Sequence, residues 1–301
     1  MNVSVNGTNV SNYIETINWS GDENQLARKV QISYLYAPDG QKASVISVRK
    51  GDRLIMEDGG SLLFDGIVIT EERTENSIRM QNMAYDYAWY LRSKALGVYK
   101  GSPGAVTRQV YEENGVPCGK IYDPGGEVEI ISTGEKTISQ VIHGAYEGYD
   151  AHIYMEGQSL CVEKYGEELA GTVTGDDSAT DAAYKSSIEN IVNQVVLLDA
   201  NEEPAGEVDN GLFQYGTIRE AYKITGSEKD YAKEAEKLLK GIEDSGKVTV
   251  VGNSAFRTGK AVIVEKVNSK IRGRFTIISD SHCLQDASYL TTLGLRFDKA
   301  M

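Results

Sequence analysis

Between Arg28 and Tyr36 the chain reads RKVQISYLY, with Val30, Ile32, Tyr34 and Tyr36 on one side of a two-residue repeat and Lys29, Gln31 and Ser33 on the other. That period predicts a half-buried strand. APDGQ follows as a turn. A hairpin is predicted over 53–72, turning at Asp58-Gly59-Gly60, and SIRMQNM alternates again through Ile78 and Met80. The period then changes. Residues 104–115 set Val106 and Val110 one helical turn apart, with Asn114-Gly115 and Pro117 as stop signals. Residues 137–147 carry Ile138, Val141, Ile142 and Ala145 at helical spacing behind Thr137 as N-cap. HIYMEGQSLCVEK reads as a hairpin turning at Gly157.

Residues 171–187 are small and polar and predict an exposed loop. IENIVNQVVLLDANEEPAG predicts a buried strand and a turn. Ser227 and Asp230 open a helix whose apolar face is Ala232, Ala235, Leu238, Leu239 and Ile242, ended by Gly246. KVTVV is a strand, and a closing strand places Tyr289, Thr291, Leu293, Leu295 and Phe297 on one face.

Two stretches far apart share a pattern. GDRLIMEDGGSLLFDGIVITEER (51–73) and GKAVIVEKVNSKIRGRFTIISDS (259–281) both open with Gly and a charged residue and run through apolar residues to a Glu. Both then place a Gly, Gly66 or Gly273, before a second apolar run. A second echo aligns LARKVQI (26–32) with IVNQVVL (191–197). Two echoes in the same order predict an internal duplication with a copy number of two rather than a solenoid. The fold class that follows is α+β, mainly β. A first β-barrel spans 1–96 and a small α/β insert 97–165. The second barrel begins over 166–226, is interrupted by a helix-strand insert at 227–256, and closes over 257–301.

Composition narrows the function. At 301 residues and 41% hydrophobic, the chain is long enough for two cores. It has no apolar run near about 18 residues and no signal-type segment after Met1, which predicts neither a membrane span nor cleaved export. Cys118, Cys161 and Cys283 lack zinc spacing and are expected as reduced thiols. A formal charge of −13 disfavours binding to nucleic acid. The 18 tyrosines, against 5 Phe and 2 Trp, suit half-buried sheets and interfaces.

Catalytic chemistry is sought without success. GNSAFRTGK (252–260) has six residues between Gly and Gly-Lys where a phosphate loop has about four, and Ala261 stands where Ser or Thr belongs, so a loop leading into a strand is the better reading. His143, His152 and His282 have no metal-type partner. His143 lies off its helix's apolar stripe and is expected in solvent. His282 and Cys283 point to opposite faces of a strand, which predicts a surface His beside a packed Cys. Asp176, Asp177 and Asp181, and Glu71, Glu72 and Glu75, read as solvated charge. AYDYAWYL (84–91) reads as a packed helical turn rather than a stacking platform. Two rival classes are a tail-associated peptidoglycan hydrolase and a monomeric carbohydrate-binding module.

The ordered set WSGDENQLARKVQISY, GDRLIMEDGGSLLFDGIV, AYDYAWYLRSKA and TRQVYEENGVPCGKI, followed by SIENIVNQVVLLD and SHCLQDASYLTTLGLRFD, resembles the tail-hub family of contractile phages and phage-derived bacteriocins. The resemblance is to its defective-prophage, Gram-positive form, like late control protein D. It implies two tandem tube-protein-like antiparallel β-barrels with inserted small α/β domains, and a homotrimer joining the sixfold tail tube to the threefold spike around a channel. Implied partners are the chain itself, the tail tube protein, the central spike protein, the tape-measure protein and the baseplate wedge proteins. No membrane is involved, and DNA only in transit. Implied locations are the virion tail or baseplate, or a released contractile particle, assembled in the bacterial cytoplasm. No catalytic, cofactor or metal residues are implied. The hairpin positions expected to build the ring are Ile67, Ile69, Phe275 and Ile277, and an acidic lumen would let DNA or tape-measure protein slide through.

Overall fold

The computed structural model describes residues 1–35, 46–73, 78–175, 179–225, 230–265 and 270–297. The first strands are β1 (Asn2–Val5), β2 (Thr8–Asn9), β3 (Ile14–Asp22), β4 (Gln25–Leu35), β5 (Arg53–Asp58), β6 (Ser61–Arg73) and β7 (Arg79–Asp86). The alternation read in 28–36 is realised: Val30, Ile32 and Tyr34 are buried against Trp19, Leu54, Met56, Val68 and Ala84. Tyr36 lies outside the described residues. Asp86 then caps a 3-10 turn, Tyr87–Arg92, by accepting from Ala88 N–H. This turn is the packed segment expected of AYDYAWYL.

The next block holds β8 (Lys94–Gly101), α1 (Pro103–Asn114), β9 (Cys118–Ile121), β10 (Val128–Thr137), α2 (Ile138–Ala145), β11 (Ala151–Glu156) and β12 (Ser159–Lys164). Ser102 caps α1, Pro103 opens it, and Gly115 ends it at φ 66°. Thr137 and Gln140 form a reciprocal capping box on α2. The two helices bury Val106, Val110, Tyr111, Val141 and Ile142 in one core with Leu160 and Val162 of β12. β8 pairs with β10, and β12 lies between β11 and β9.

The remaining elements are β13 (Leu169–Thr174), β14 (Ala179–Ser187), β15 (Gln194–Leu198), β16 (Pro204–Asp209), β17 (Arg219–Lys223), α3 (Tyr231–Glu236), β18 (Glu243–Val251), β19 (Ala261–Glu265), β20 (Gly273–Gln285) and β21 (Ser288–Arg296). The loop expected over 171–187 is therefore mostly strand. Its only buried side chain in β13 is Val173 and β14 buries none, so it lacks the apolar alternation by which strands are recognised. The helix expected to run to Gly246 stops at Glu236. Lys240 instead exchanges backbone hydrogen bonds with Val192 (3.1 and 2.9 Å), and Gly246 lies within β18. Asp230 is its N-cap, accepting from Lys233 N–H, and Ser227 is outside the described residues.

The chain divides into two compact units, residues 184–246 and all the rest. The smaller unit has β15 between β16 and β17, with Val192, Val195, Leu197 and Ala235 as its core. Residues 184–226, expected in the second barrel, thus lie in this separate unit. The echo between 26–32 and 191–197 is not structural either: a buried apolar strand looks alike in any sheet, and 191–197 feeds β15.

The larger unit is mainly β, built on a large curled sheet that is mostly antiparallel. Its strand order runs β14-β18-β21-β20-β3-β4-β7-β6-β5-β1-β2, with β19 on β20 and β13 on β19. The duplication is visible in this order. One set runs β3-β4-β7-β6-β5-β1 and the other β14-β18-β21-β20-β19-β13. Position by position, the chain visits them in the same sequence. The tight β3–β4 turn of the first set corresponds to the place where the second set receives the whole 184–246 unit. The copies differ at one end, where β1 is antiparallel to β5 but β13 is parallel to β19.

Candidate assembly interface

The two hairpins noticed in the sequence are equivalent down to single hydrogen bonds. Gly51 and Gly259 both sit at left-handed φ, 90° and 93°. Gly51 N–H donates to Val68 O at 2.9 Å, and Val68 N–H to Asp52 O at 2.9 Å. Gly259 N–H donates to Ile277 O at 3.0 Å, and Ile277 N–H to Lys260 O at 2.9 Å. The ladders start at Arg53–Ile67 and Ala261–Thr276. Each long strand then carries a bulge at the same place, Ile69 in β6 and Ile278 in β20.

This register corrects the alignment made on Gly66 and Gly273. Val68 corresponds to Ile277, both fully buried. Ile67 corresponds to Thr276, and Gly273 takes the place of Phe64. The match of Gly66 to Gly273 is thus slipped by two residues, and the match of Ile67 and Ile69 to Phe275 and Ile277 by one, which reverses the faces of the strand. Ile67 and Ile69 are half-buried, while Phe275 and Ile277 point into the core.

The bulge in β20 has a consequence for the sheet. Before it, β20 pairs with β19 through Thr276. Beyond it, Ser279–Gln285 pairs with Asp22–Thr16 of β3, so the two strand sets join edge to edge within one chain. A buried polar cluster lies at this seam. Asp280 is 2% exposed and accepts from Arg28 Nη1 (2.8 Å), Arg28 Nη2, Thr258 N–H (2.6 Å) and Thr258 Oγ1 (2.8 Å). His282 Nε2 is 3.1 Å from Asp280 Oδ2 and 3.1 Å from Phe256 O. Both are acceptors, so Nε2 carries the proton and Nδ1 accepts from Tyr289 or Thr291 hydroxyl, each at 3.0 Å. Trp19 stacks on the His282 ring at 4.0 Å with 2° between planes.

Burial pushes Asp280 up, but the Arg28 guanidinium and the hydrogen bonds from Arg28 and His282 outweigh it and hold the carboxyl well below the usual range. Burial pulls His282 down against the opposing pull of Asp280, keeping it neutral. A side chain on Gly21 would collide with the Arg28 guanidinium, so β3 leaves the pair its space there. All these groups join β3 and β4 to β20, β21 and the 252–260 loop.

A cleft of about 370 Å³ opens beside the seam, lined by Arg28, Asp65, Asp86, His152, Glu163, Arg257 and Lys260 among others. Lys260 Nζ bridges Glu163 (2.8 Å) and Glu168 (2.6 Å). Burial pushes Asp86 up to about 7 and His152 down to about 3. Lys260 thus supplies the counter-charge of Glu163 and Glu168 at this wall of the cleft. Among the described residues no group of His, Cys, Asp and Glu is arranged to hold a metal, and no helix is long and apolar enough to cross a membrane.

The other candidates fall out plainly. GNSAFRTGK is a loop leading into β19. His143 is exposed. His282, expected at the surface, is fully buried, because its ring nitrogens find partners across the seam; Cys283 is the half-buried neighbour on the other face. Asp181, Glu71 and Glu72 are exposed, and Glu75, Asp176 and Asp177 lie outside the described residues. The sequence reading missed Asp280, Arg28 and Trp19, whose partners are far away along the chain.

Comparison with known proteins shows the family of the chain and the solved structures whose fold it shares. The chain belongs to the YQBQ-like family, whose model matches residues 17–296. It is similar in structure to a 43 kDa tail protein of prophage MuSo2 from Shewanella oneidensis. That match has 13% identity, covers 98% of this chain and 96% of that one, and has a TM-score of 0.76. It is also similar to a tail protein from Neisseria meningitidis MC58, with 16% identity, 99% and 96% coverage and a TM-score of 0.74. A third is an E. coli component of the type VI secretion system described as similar to T4 tail proteins gp27 and gp5. It has 11% identity, 99% and 77% coverage and a TM-score of 0.59. No curated protein matches significantly.

Proposed function

We propose that this chain is the structural hub of a contractile tail baseplate, three copies of which close a ring around a channel. One observation carries the reading: each chain holds two strand sets of the same order and register, already joined edge to edge through β3 and β20. Three such chains supply six equivalent sets, a ring sixfold in shape and threefold in chemistry. Such a ring fits between the tail tube protein on one side and the central spike protein on the other. The tape-measure protein, and DNA in a phage, would pass through the channel, and wedge proteins would bind outside. The likeness to tail proteins and to chains from PdpA–VgrG complexes supports these kinds of partner. The chain acts as a scaffold and not as an enzyme, in keeping with its likeness in fold to tail proteins. Its place is the tail or baseplate of a virion or released particle.

The test is particle mass by light scattering with negative-stain imaging of the purified chain. A trimer with a central hole supports the hub, and a dimer without a channel overturns it. Turnover of peptidoglycan, abolished by one Asp or Glu substitution, would favour the hydrolase instead.

A further inference from the structure

The cleft beside the seam holds a cation with no counter-charge. Arg257 lies in its wall, in the loop before β19. The backbone on either side is pinned: Phe256 O accepts from His282 Nε2 at 3.1 Å, and Thr258 N–H and Oγ1 both donate to Asp280, at 2.6 and 2.8 Å. Among the described residues the Arg257 side chain makes one hydrogen bond, from Nε to Ser254 O at 3.2 Å, and no ion pair. Two carboxylates act on it from farther off, Asp280 and Glu156. Asp280 has no acceptor capacity to spare. Its Oδ1 takes Arg28 Nη1 and both Thr258 donors, and its Oδ2 takes Arg28 Nη2 and His282. Glu156 is exposed to water. Burial, with the Arg28 cation next in weight, pulls the Arg257 guanidinium down from its usual value, as expected of a charge without a partner.

Most acids of the cleft have partners of their own. Asp65 takes Arg53 Nε at 2.8 Å and Nη2 at 2.6 Å, Asp86 accepts the Arg28 and Ala88 backbone N–H groups, each at 3.1 Å, and Lys260 holds Glu163 and Glu168. Two buried atoms in the walls have no partner: Arg28 Nε, a donor, and Glu163 Oε1, an acceptor. Leu63, Phe64 and Met155 add apolar lining. A guanidinium takes a carboxylate through paired N–H donors. An unpaired guanidinium, one further donor, one acceptor and an apolar wall make the small polar set within apolar surface that marks a ligand site.

We propose that this cleft binds an organic carboxylate with an apolar body and an N–H donor, the chemistry of an acylated amino acid or a peptide C-terminus, with Arg257 as the counter-charge. Glu163 Oε1 is the acceptor available to the N–H. The site lies within one chain and does not depend on the hub reading.

Calorimetric titration of the purified chain in low-chloride buffer tests this with N-acetyl-phenylalanine and its neutral amide. The acid should bind at least about tenfold more tightly than the amide, and Arg257→Gln should weaken the acid by at least about tenfold. Arg257→Lys, which keeps the cation without the fork, should bind between the two. A structural arginine is costly to lose, but an uncompensated one is not, so the urea midpoint of unliganded Arg257→Gln should stay level or rise. A longer peptide ending in phenylalanine separates the sources: tighter binding than the acyl amino acid marks a chain terminus, and weaker binding marks a free small acid. The proposal is overturned if the acid does not bind, if acid and amide bind alike, if Arg257→Gln binds as wild type does, or if its urea midpoint falls. Inorganic phosphate binding more tightly than the acid would overturn the carboxylate assignment.

Discussion

Replacing Asp280 by Asn should cost more stability than any other isosteric change in the larger unit. The carboxylate is 2% exposed and takes five hydrogen bonds, from Arg28, Thr258 and His282. Asparagine keeps the volume but turns one oxygen into an NH₂ facing either the Thr258 donors or Arg28 and His282. The Arg28 side chain, 13% exposed, then has no counter-charge there. Removing one partner of a buried pair costs about 3–5 kcal/mol, against a total of about 5–15 kcal/mol for a typical domain. Equilibrium urea unfolding followed by Trp19 fluorescence, in a Trp89→Phe background, reads this directly because Trp19 stacks on His282. Arg28→Met should cost a similar amount. The double variant should cost less than the sum by about 1–3 kcal/mol, since the two groups serve each other. The acid limb should respond too. A depressed carboxyl contributes stability above its unfolded value, near 3.8, that is lost as pH falls into the acid range, and Asp280→Asn should flatten that loss. A cost below about 1 kcal/mol, or strict additivity with Arg28→Met, would refute the reasoning.

Other outcomes follow from single features. Gly51→Ala should cost about 1–2 kcal/mol from left-handed strain alone, since a Cβ there meets nothing within 4 Å. Gly259→Ala should cost more, because its Cβ would strike the His152 ring; equal costs by urea unfolding would contradict the close packing. Asp86, raised to about 7, favours the folded state at low pH, so its contribution declines from about pH 4 to 7. His152, lowered to about 3, has the opposite sign, its contribution declining as pH falls from about 6.5 to 3. A His152→Phe variant should therefore gain stability between pH 7 and 4 relative to wild type; parallel pH profiles would argue against the burial of His152. All three cysteines are free, so alkylation of the native chain should modify exposed Cys118 first and buried Cys161 last, and denaturation without reductant should expose three thiols.

What the sequence made legible follows from range. The Gly115 stop of α1, the Thr137 cap of α2, the Gly157 turn and the alternation of β4 are local signals, and each falls where the residues place it. The repeat was legible at Gly51 and Gly259 because a left-handed turn demands glycine in both copies. Beyond those glycines the alignment slipped, since apolar runs in strands carry no mark of register and the bulges at Ile69 and Ile278 leave none. β13 and β14 were hidden because edge strands need no buried face. The Arg28–Asp280–His282 cluster was invisible for a different reason. Arg28 is 252 positions from Asp280 along the chain, and an Asp and a His in a strand carry no sign of a partner that only folding supplies.

The hub is tested most directly by the mass and shape of the purified chain, measured from low to high concentration. Light scattering should show a concentration-dependent passage from monomer to trimer, and averaged images of the trimer should show six similar lobes around an open centre. A particle that remains monomeric at high concentration, or closes as a dimer with no channel, would contradict it.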